Sequence, residues 1–261
     1  MTARLVRACA VCFVLWSASA AAQTPSVEPE GSGGNAAPLS PLGIADVLRR
    51  VEHDQASIWG FPLKAARGSH AKATLPFLAA TVALVALDSH DTPYFRQTNQ
   101  FDAFNTGLNG TATGLGEGLF PVALLLVGEV RHDSYATDSA WLAGEALLDT
   151  EMVTEVSKLI TGRLRPGDIP PAGDFGNTWF KAEGHFPSVA SFPSGHTAAA
   201  FALAAVISAR YRGHKWVPWV AYGAATLVGL SRITLQSHFP SDVFVGGVLG
   251  GVIGHTVGVY H

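Results

Sequence analysis

Charge is scarce in this chain. Lys, Arg, Asp and Glu make up 14% of its 261 residues, against roughly a quarter in an ordinary soluble domain. The 17 basic and 20 acidic side chains leave a net charge of −3, which excludes the basic footprint that nucleic acid requires. Cysteine is scarcer still: Cys9 and Cys12 are the whole complement. Downstream of them there is no thiol for a disulfide, for nucleophilic catalysis or for a thiolate-bound metal. No stretch alternates apolar and polar residues in the manner of a half-buried strand, and no internal repeat is present. With no Cys-rich or Asp-rich ligand cluster, the sequence requires neither a metal nor a cofactor.

What is abundant is apolar. Hydrophobic residues reach 48%, and the mean hydropathy is +0.25. Residues 1–22 read as a signal peptide. Arg4 and Arg7 precede the apolar run ACAVCFVLWSASA, and Ala20, Ala21 and Ala22 supply the small residues of a cleavage site. Residues 23–42, rich in Pro, Gly and Ser, read as a flexible tether. Residues 43–72 carry an amphipathic segment, with helical spacing over IADVLRRVEHDQASIW. A helical domain then fills 73–261. Its apolar segments lie near 73–88, 114–130, 139–164, 196–211, 216–232 and 240–259, separated by Gly, Pro and short polar stretches. The expected fold is all-α, a six-helix bundle.

Length alone leaves the membrane question open. A spanning helix needs about 20 apolar residues, and 73–88 stops short at Asp88. The segment 139–164 carries Glu145, Asp149, Glu151, Glu155 and Lys158, a costly set in lipid unless buried between helices. The last segment places Gly246, Gly250 and Gly254 at four-residue spacing, which permits close helix packing in either setting.

Three short stretches carry the chemistry. In SFPSGHTAAAFA, Pro193, Ser194, Gly195 and His196 stand directly before an apolar helix. A helix start there offers unpaired N–H groups to an anion, and His196 moves a proton near neutral pH. In KLITGRLRP, Lys158 and Arg165 lie two helical turns apart before Pro166. In SRITLQSHFPSD, Arg232 ends one helix, His238 sits in a short connection, and Asp242 follows His238 by four residues. A phosphoryl group in transfer spreads charge over three oxygens, and catalysis is largely positioning and electrostatic stabilisation. Lys158, Arg165 and Arg232 supply three cations, and the backbone N–H groups of Ser194 and Gly195 supply further donors. Two histidines divide the work of nucleophile and proton donor, with Asp242 orienting one of them. Each piece alone has a plainer reading: a surface lysine, a charge complementing a helix end, a first-turn acid, a capped helix with an incidental histidine.

Taken together, Lys-x6-Arg-Pro, then Pro-Ser-Gly-His, then Ser-Arg-x5-His-x3-Asp resembles the type 2 phosphatidic acid phosphatase and vanadium haloperoxidase superfamily. Lys158, Arg165, Pro166, Pro193, Ser194, Gly195, His196, Ser231, Arg232, His238 and Asp242 occupy every fixed position. The resemblance implies that His238 attacks phosphorus and forms a phosphohistidine, that His196 protonates the leaving alkoxide and then activates water, and that Asp242 holds the His238 tautomer. It implies that Lys158, Arg165, Arg232, Ser194 and Gly195 bind the phosphate oxygens. The expected activity is metal-independent hydrolysis of a phosphomonoester or pyrophosphate, lipid-linked or small. A vanadium-dependent haloperoxidase, whose known chains are generally much longer, and a non-catalytic membrane bundle are the alternatives. The expected partners are a phosphorylated lipid or small phosphate ester and the membrane, without nucleic acid. In the connection 167–192, Trp179, Phe180 and Phe186 either contact a lipid chain or anchor the loop. The export signal and the basic residues Lys64, Arg67 and Lys72, and Arg210, Arg212 and Lys215, conflict if every helix spans. The expected resolution is a site on the exported, periplasmic side of a bundle only partly embedded, with the first and third apolar helices as the non-spanning ones.

Overall fold

A computed structural model describes residues 44–68, 70–170, 172–182 and 186–261. The expected signal peptide and tether, and both cysteines, lie outside the described residues. Among the described residues the fold is all-α. The helices are α1 (Ile44–Ala66), α2 (Ala71–Arg96), the short α3 (Asp102–Gly107), α4 (Gly110–Arg131), α5 (Ser134–Thr161), α6 (Gly195–Arg210), α7 (Val217–Thr234) and α8 (Pro240–Tyr260), with a 3-10 turn at Pro166–Asp168. The six expected apolar helices correspond to α2, α4, α5, α6, α7 and α8.

Local chemistry sets several helix ends. Asn109 caps α4 by accepting the Ala112 N–H, and Asp133 caps α5 by accepting those of Tyr135 and Ala136. Gly162 ends α5 at φ +49°, where its N–H reaches the Lys158 carbonyl and an added Cβ would press on the Phe180 backbone at 3.3 Å. Pro240 opens α8 at a position where its missing N–H costs nothing. The Ser194 side chain caps no backbone N–H of α6; it pairs with Thr197 Oγ1 at 2.8 Å.

The core lies between α5, α6 and α8, around Leu142, Ala146, Val153, Leu203, Val206, Ile253 and Val257. Helices α6 and α8 meet backbone to backbone. A Cβ on Gly246, Gly250 or Gly254 would stand 2.5, 1.9 or 2.1 Å from the carbonyl oxygens of Ser194, Ala198 and Ala202. Only glycine permits that approach. Helix α1 buries Val47, Val51, Asp54 and Gln55 along one stripe, and Gln55 bonds the Asp149 carboxylate on α5 at 2.9 Å.

One expectation needs correction. The first apolar helix does not stop at Asp88 but continues to Arg96, giving 26 residues. Asp88 is 1% exposed and bonded to Arg163 and Ser241, so its charge has partners inside the bundle and the helix runs on. Among the described residues, three helices, α2, α4 and α8, are long and apolar enough to cross a membrane. The charged α5 is not among them, as its composition implied.

Candidate active site

The three motif stretches converge at one end of a cleft of about 700 Å³ between α1, α4, α5 and α6. Lys158, Arg165, Gly195, His196 and His238 line its polar end, together with Glu117 and Glu151. Pro121, Val122, Leu125, Trp141, Leu147 and Leu148 make the long apolar remainder, and Ile44, Val47 and Leu48 of α1 line it as well.

Lys158 reaches this end from the last turn of α5. Its Nζ lies 2.6 Å from Glu155 Oε1 and 3.2 Å from where a Cβ on Gly195 would stand. Gly195 thus leaves room for the ammonium against the start of α6. The other Glu155 oxygen accepts the Ser188 N–H at 2.8 Å, so this carboxylate ties the lysine to the loop. Burial works against the Glu155 charge, but the Lys158 and Ser188 hydrogen bonds outweigh it and hold the carboxyl below its ordinary value. Arg165 is steered by donation from Nε to the Val189 carbonyl at 2.8 Å.

His238 is 4% exposed. Its Nδ1 lies 2.6 Å from the Ser191 carbonyl oxygen. A carbonyl only accepts, so Nδ1 carries the proton and Nε2 is bare. The Asp242 carboxylate stands 3.8 Å from Nδ1, beyond hydrogen-bond range. It acts on the ring through Ser191, whose Oγ donates to Asp242 Oδ2 at 2.5 Å and lies 3.4 Å from Nδ1. Asp242 also accepts the Phe239 N–H at 2.9 Å, which fixes the turn carrying His238. Burial pushes the His238 imidazole below its ordinary value, with the Asp242 charge opposing.

Behind Asp242 stands a residue the motif reading gave no role. Arg163 is 1% exposed. It donates to Asp242 Oδ1 at 2.5 Å, Ser241 Oγ at 2.8 Å, Asp88 Oδ2 at 2.7 Å and Thr178 Oγ1 at 3.2 Å. Its guanidinium is sandwiched between Trp179 and Phe239, at 4.5 and 4.0 Å from the ring centroids. Trp179 is therefore a loop anchor, while Phe180 and Phe186 are exposed. Arg96, at the end of α2, adds a second anchor by donating to the Pro166 and Ile169 carbonyls.

His196, on the first turn of α6, donates Nε2–H to the Gly110 carbonyl at 3.1 Å. Burial, reinforced by the Arg232 charge, pushes its pKa down to about 4. Two expected phosphate contacts are placed differently. The Ser194 N–H is taken by the Asp242 carbonyl at 3.1 Å, and Ser194 is fully buried behind the cleft. Of the two proposed backbone donors, only Gly195 lines it. Arg232 is 2% exposed, and its guanidinium holds the Leu108 carbonyl, Thr113 Oγ1 and Ser231 Oγ. It braces the start of α4 beside His196 and does not line the cleft.

Residues 139–261 match the PAP2 superfamily model. A lipid A 1-phosphatase from Rhizobium etli is 35% identical over 132 residues, which is 48% of this chain and 53% of that protein. A lipid A 4′-phosphatase from Porphyromonas gingivalis is 29% identical over 124 residues, 46% of this chain and 51% of the relative. The chain thus spans about half the length of these curated relatives. Among solved structures, a transmembrane PAP2-type phosphatidylglycerolphosphate phosphatase from Bacillus subtilis aligns over 78% of this chain and 93% of its own, at 25% identity and a TM-score of 0.46. Every motif residue falls inside the segment that matches the PAP2 superfamily model, residues 139–261.

Proposed function

We propose that the protein is a membrane-associated phosphatase that removes a phosphate monoester from a phosphorylated lipid through a phosphohistidine. The observation that carries this reading is the His238 ring. With its Nδ1 proton given to Ser191, its basic Nε2 belongs to a cleft end also lined by Lys158, Arg165, Gly195 and His196.

In the first step Nε2 of His238 attacks phosphorus as the bond to the leaving oxygen breaks, and that oxygen takes a proton from His196. In the second, His196 removes a proton from water, whose oxygen displaces His238 and releases inorganic phosphate. Lys158, Arg165 and the Gly195 N–H stabilise the charge on the equatorial oxygens. Asp242 and Ser191 fix the nucleophile's tautomer, and Arg232 is a positioning residue for the α4 wall. The apolar length of the cleft and the lipid A phosphatases among the relatives support a lipid substrate. The three apolar helices support a membrane location. The exported side is our assignment for the site, from the leader and the distribution of basic loops.

The test is phosphate release by purified protein in detergent from lipid A 1- and 4′-monophosphates, phosphatidate, a polyprenyl pyrophosphate and a soluble aryl phosphate. We expect a lipid monoester to be turned over fastest. Acid-labile phosphate should be trapped on wild type and not on His238→Ala, and turnover in that variant should fall at least ~1,000-fold, as for loss of an essential nucleophile. Full activity in His238→Ala overturns the mechanism, and activity confined to the aryl phosphate overturns the lipid assignment.

A further inference from the structure

Away from the cleft, α1, α5 and the residue following α8 bring together a second set of ionisable groups that the phosphate chemistry does not use. Asp54 of α1 and Glu145 of α5 are 7% and 0% exposed. His261 lies between them, with Nδ1 2.5 Å from Glu145 Oε1 and Nε2 3.5 Å from Asp54 Oδ1. Asp149, also 0% exposed, stands one turn beyond Glu145 on the same helix. Among the described residues, Arg50 of α1 faces them with Nη1 3.7 Å from Glu145 Oε2, and His53 Nδ1 lies 3.6 Å from Asp54 Oδ1.

This set is under-neutralised. Asp54 Oδ2, Glu145 Oε2 and Asp149 Oδ2 are all buried with no hydrogen-bond partner. A carboxylate in that condition is costly unless paired or bound to a metal. Three carboxylates against one guanidinium leave two negative charges when the imidazoles of His53 and His261 are neutral, the charge of one divalent cation. One donor atom each from Asp54, Glu145 and His261 lie within 4.8 Å of one another. In a tetrahedral zinc site such atoms stand about 3.4 Å apart, from bonds of about 2.0–2.1 Å, so modest side-chain rotation closes the set. A shallow opening of about 360 Å³, lined by Asp46, Arg49, Arg50, His53 and His261, gives access from solvent.

We propose that Asp54, Glu145 and His261 hold a divalent first-row ion of the Zn²⁺ or Mn²⁺ class, which fastens α1 to the bundle. The donor set, one imidazole and two carboxylates, suits such ions. The ion is structural and stands apart from the phosphate site. Because Ile44, Val47 and Leu48 of α1 line the apolar part of the cleft, the ion would also keep that wall in place.

The experiment uses full-length protein without an affinity tag, stripped with chelator and titrated with Zn²⁺, and separately with Mn²⁺ read by electron paramagnetic resonance. We expect one equivalent bound per chain, a raised Tm and slower amide exchange across α1. The Asp54→Asn and Glu145→Gln variants should each bind at least about tenfold more weakly, while hydrolysis of the soluble aryl phosphate continues. If either variant fails to fold, His261→Ala carries the same comparison. No binding by wild type, or undiminished binding by these variants, overturns the proposal and assigns the cluster to bridging protons.

Discussion

The proton on Nδ1 of His238 is held by a main-chain carbonyl, and the ring sits in a pocket that disfavours its cationic form. Both cleft histidines are shifted the same way, and on the proposed mechanism they are needed in opposite forms: His238 neutral to attack phosphorus, His196 carrying the proton it gives to the leaving oxygen. Burial is the leading cause in each. The acid limb of kcat/KM, which reports the free enzyme, is set by deprotonation of His238 and should therefore lie below 6.5, the ordinary histidine value. The sign for stability follows. A histidine whose folded pKa is depressed binds its proton more readily when unfolded, so stability is lost as pH falls from 6.5 toward 4. A pH–rate profile with the acid limb at or above 6.5 would contradict this assignment. Arg163 makes a second prediction at this scale. Arg163→Met leaves Asp88 and Asp242 buried with an unpaired charge between them, and should cost about 3–5 kcal/mol of stability, measured by denaturant unfolding in detergent. Asp88→Asn keeps a polar partner for Ser241 and should cost less. Lys158, Arg165, His196 and His238, the proposed phosphate-site residues, each stand in a short motif visible in the sequence, and the structure brings all four to one cleft. Asp88 and Ser191 were not legible there: Asp88 meets Arg163 across 75 positions of chain, and a serine that relays a carboxylate resembles any loop serine.

Helices were legible where apolar runs were long, and their ends were not. The sequence places the end of the first apolar helix at Asp88 because a charge in an apolar run looks like a boundary; the structure carries α2 past it because Arg163 and Ser241 meet that charge inside the bundle. The short α3, six residues between apolar runs, leaves no periodic signal to find. The glycines of α8 were visible as a stripe, but their partner was not, since only the fold shows them set on the α6 carbonyls. Here an element-scale prediction follows. A Cβ at Gly250 would overlap the Ala198 carbonyl at 1.9 Å, so Gly250→Ala must spread two helices. Overpacking of this kind costs about 1–3 kcal/mol. Because the site lies at the start of both helices, turnover should fall along with Tm. Gly251→Ala, where a Cβ meets nothing within 4 Å, is the matched control and should leave both within error. Equal behaviour of the two variants in thermal melts and kinetics would refute the close-contact account.

At the scale of the whole molecule, three helices suited to a bilayer stand beside a core that is partly charged. The prediction that belongs here is sidedness. Ala172 lies in the exposed loop near Arg165, and on our reading both cysteines leave with the signal peptide. Ala172→Cys should therefore react in cells with a thiol reagent that passes the outer envelope but not the inner membrane. Reaction only after the inner membrane is broken would place the loop in the cytoplasm and reverse the assignment.

The glycine seam between α6 and α8 has a further consequence. His196 is one residue into α6, and His238 stands just before α8. Two rods touching along three successive turns through unyielding main chain cannot slide, because each carbonyl sits where a side chain would otherwise be. The separation of His196 and His238, the proposed acid and nucleophile, is thus gauged by the seam, as two jaws are gauged by a closed hinge. For the proposed lipid substrate, the breathing that admits it falls to the opposite wall, α4 and α1, where Leu125, Val122 and Leu48 line the cleft and, among the described residues, no such glycine seam against α6 is present.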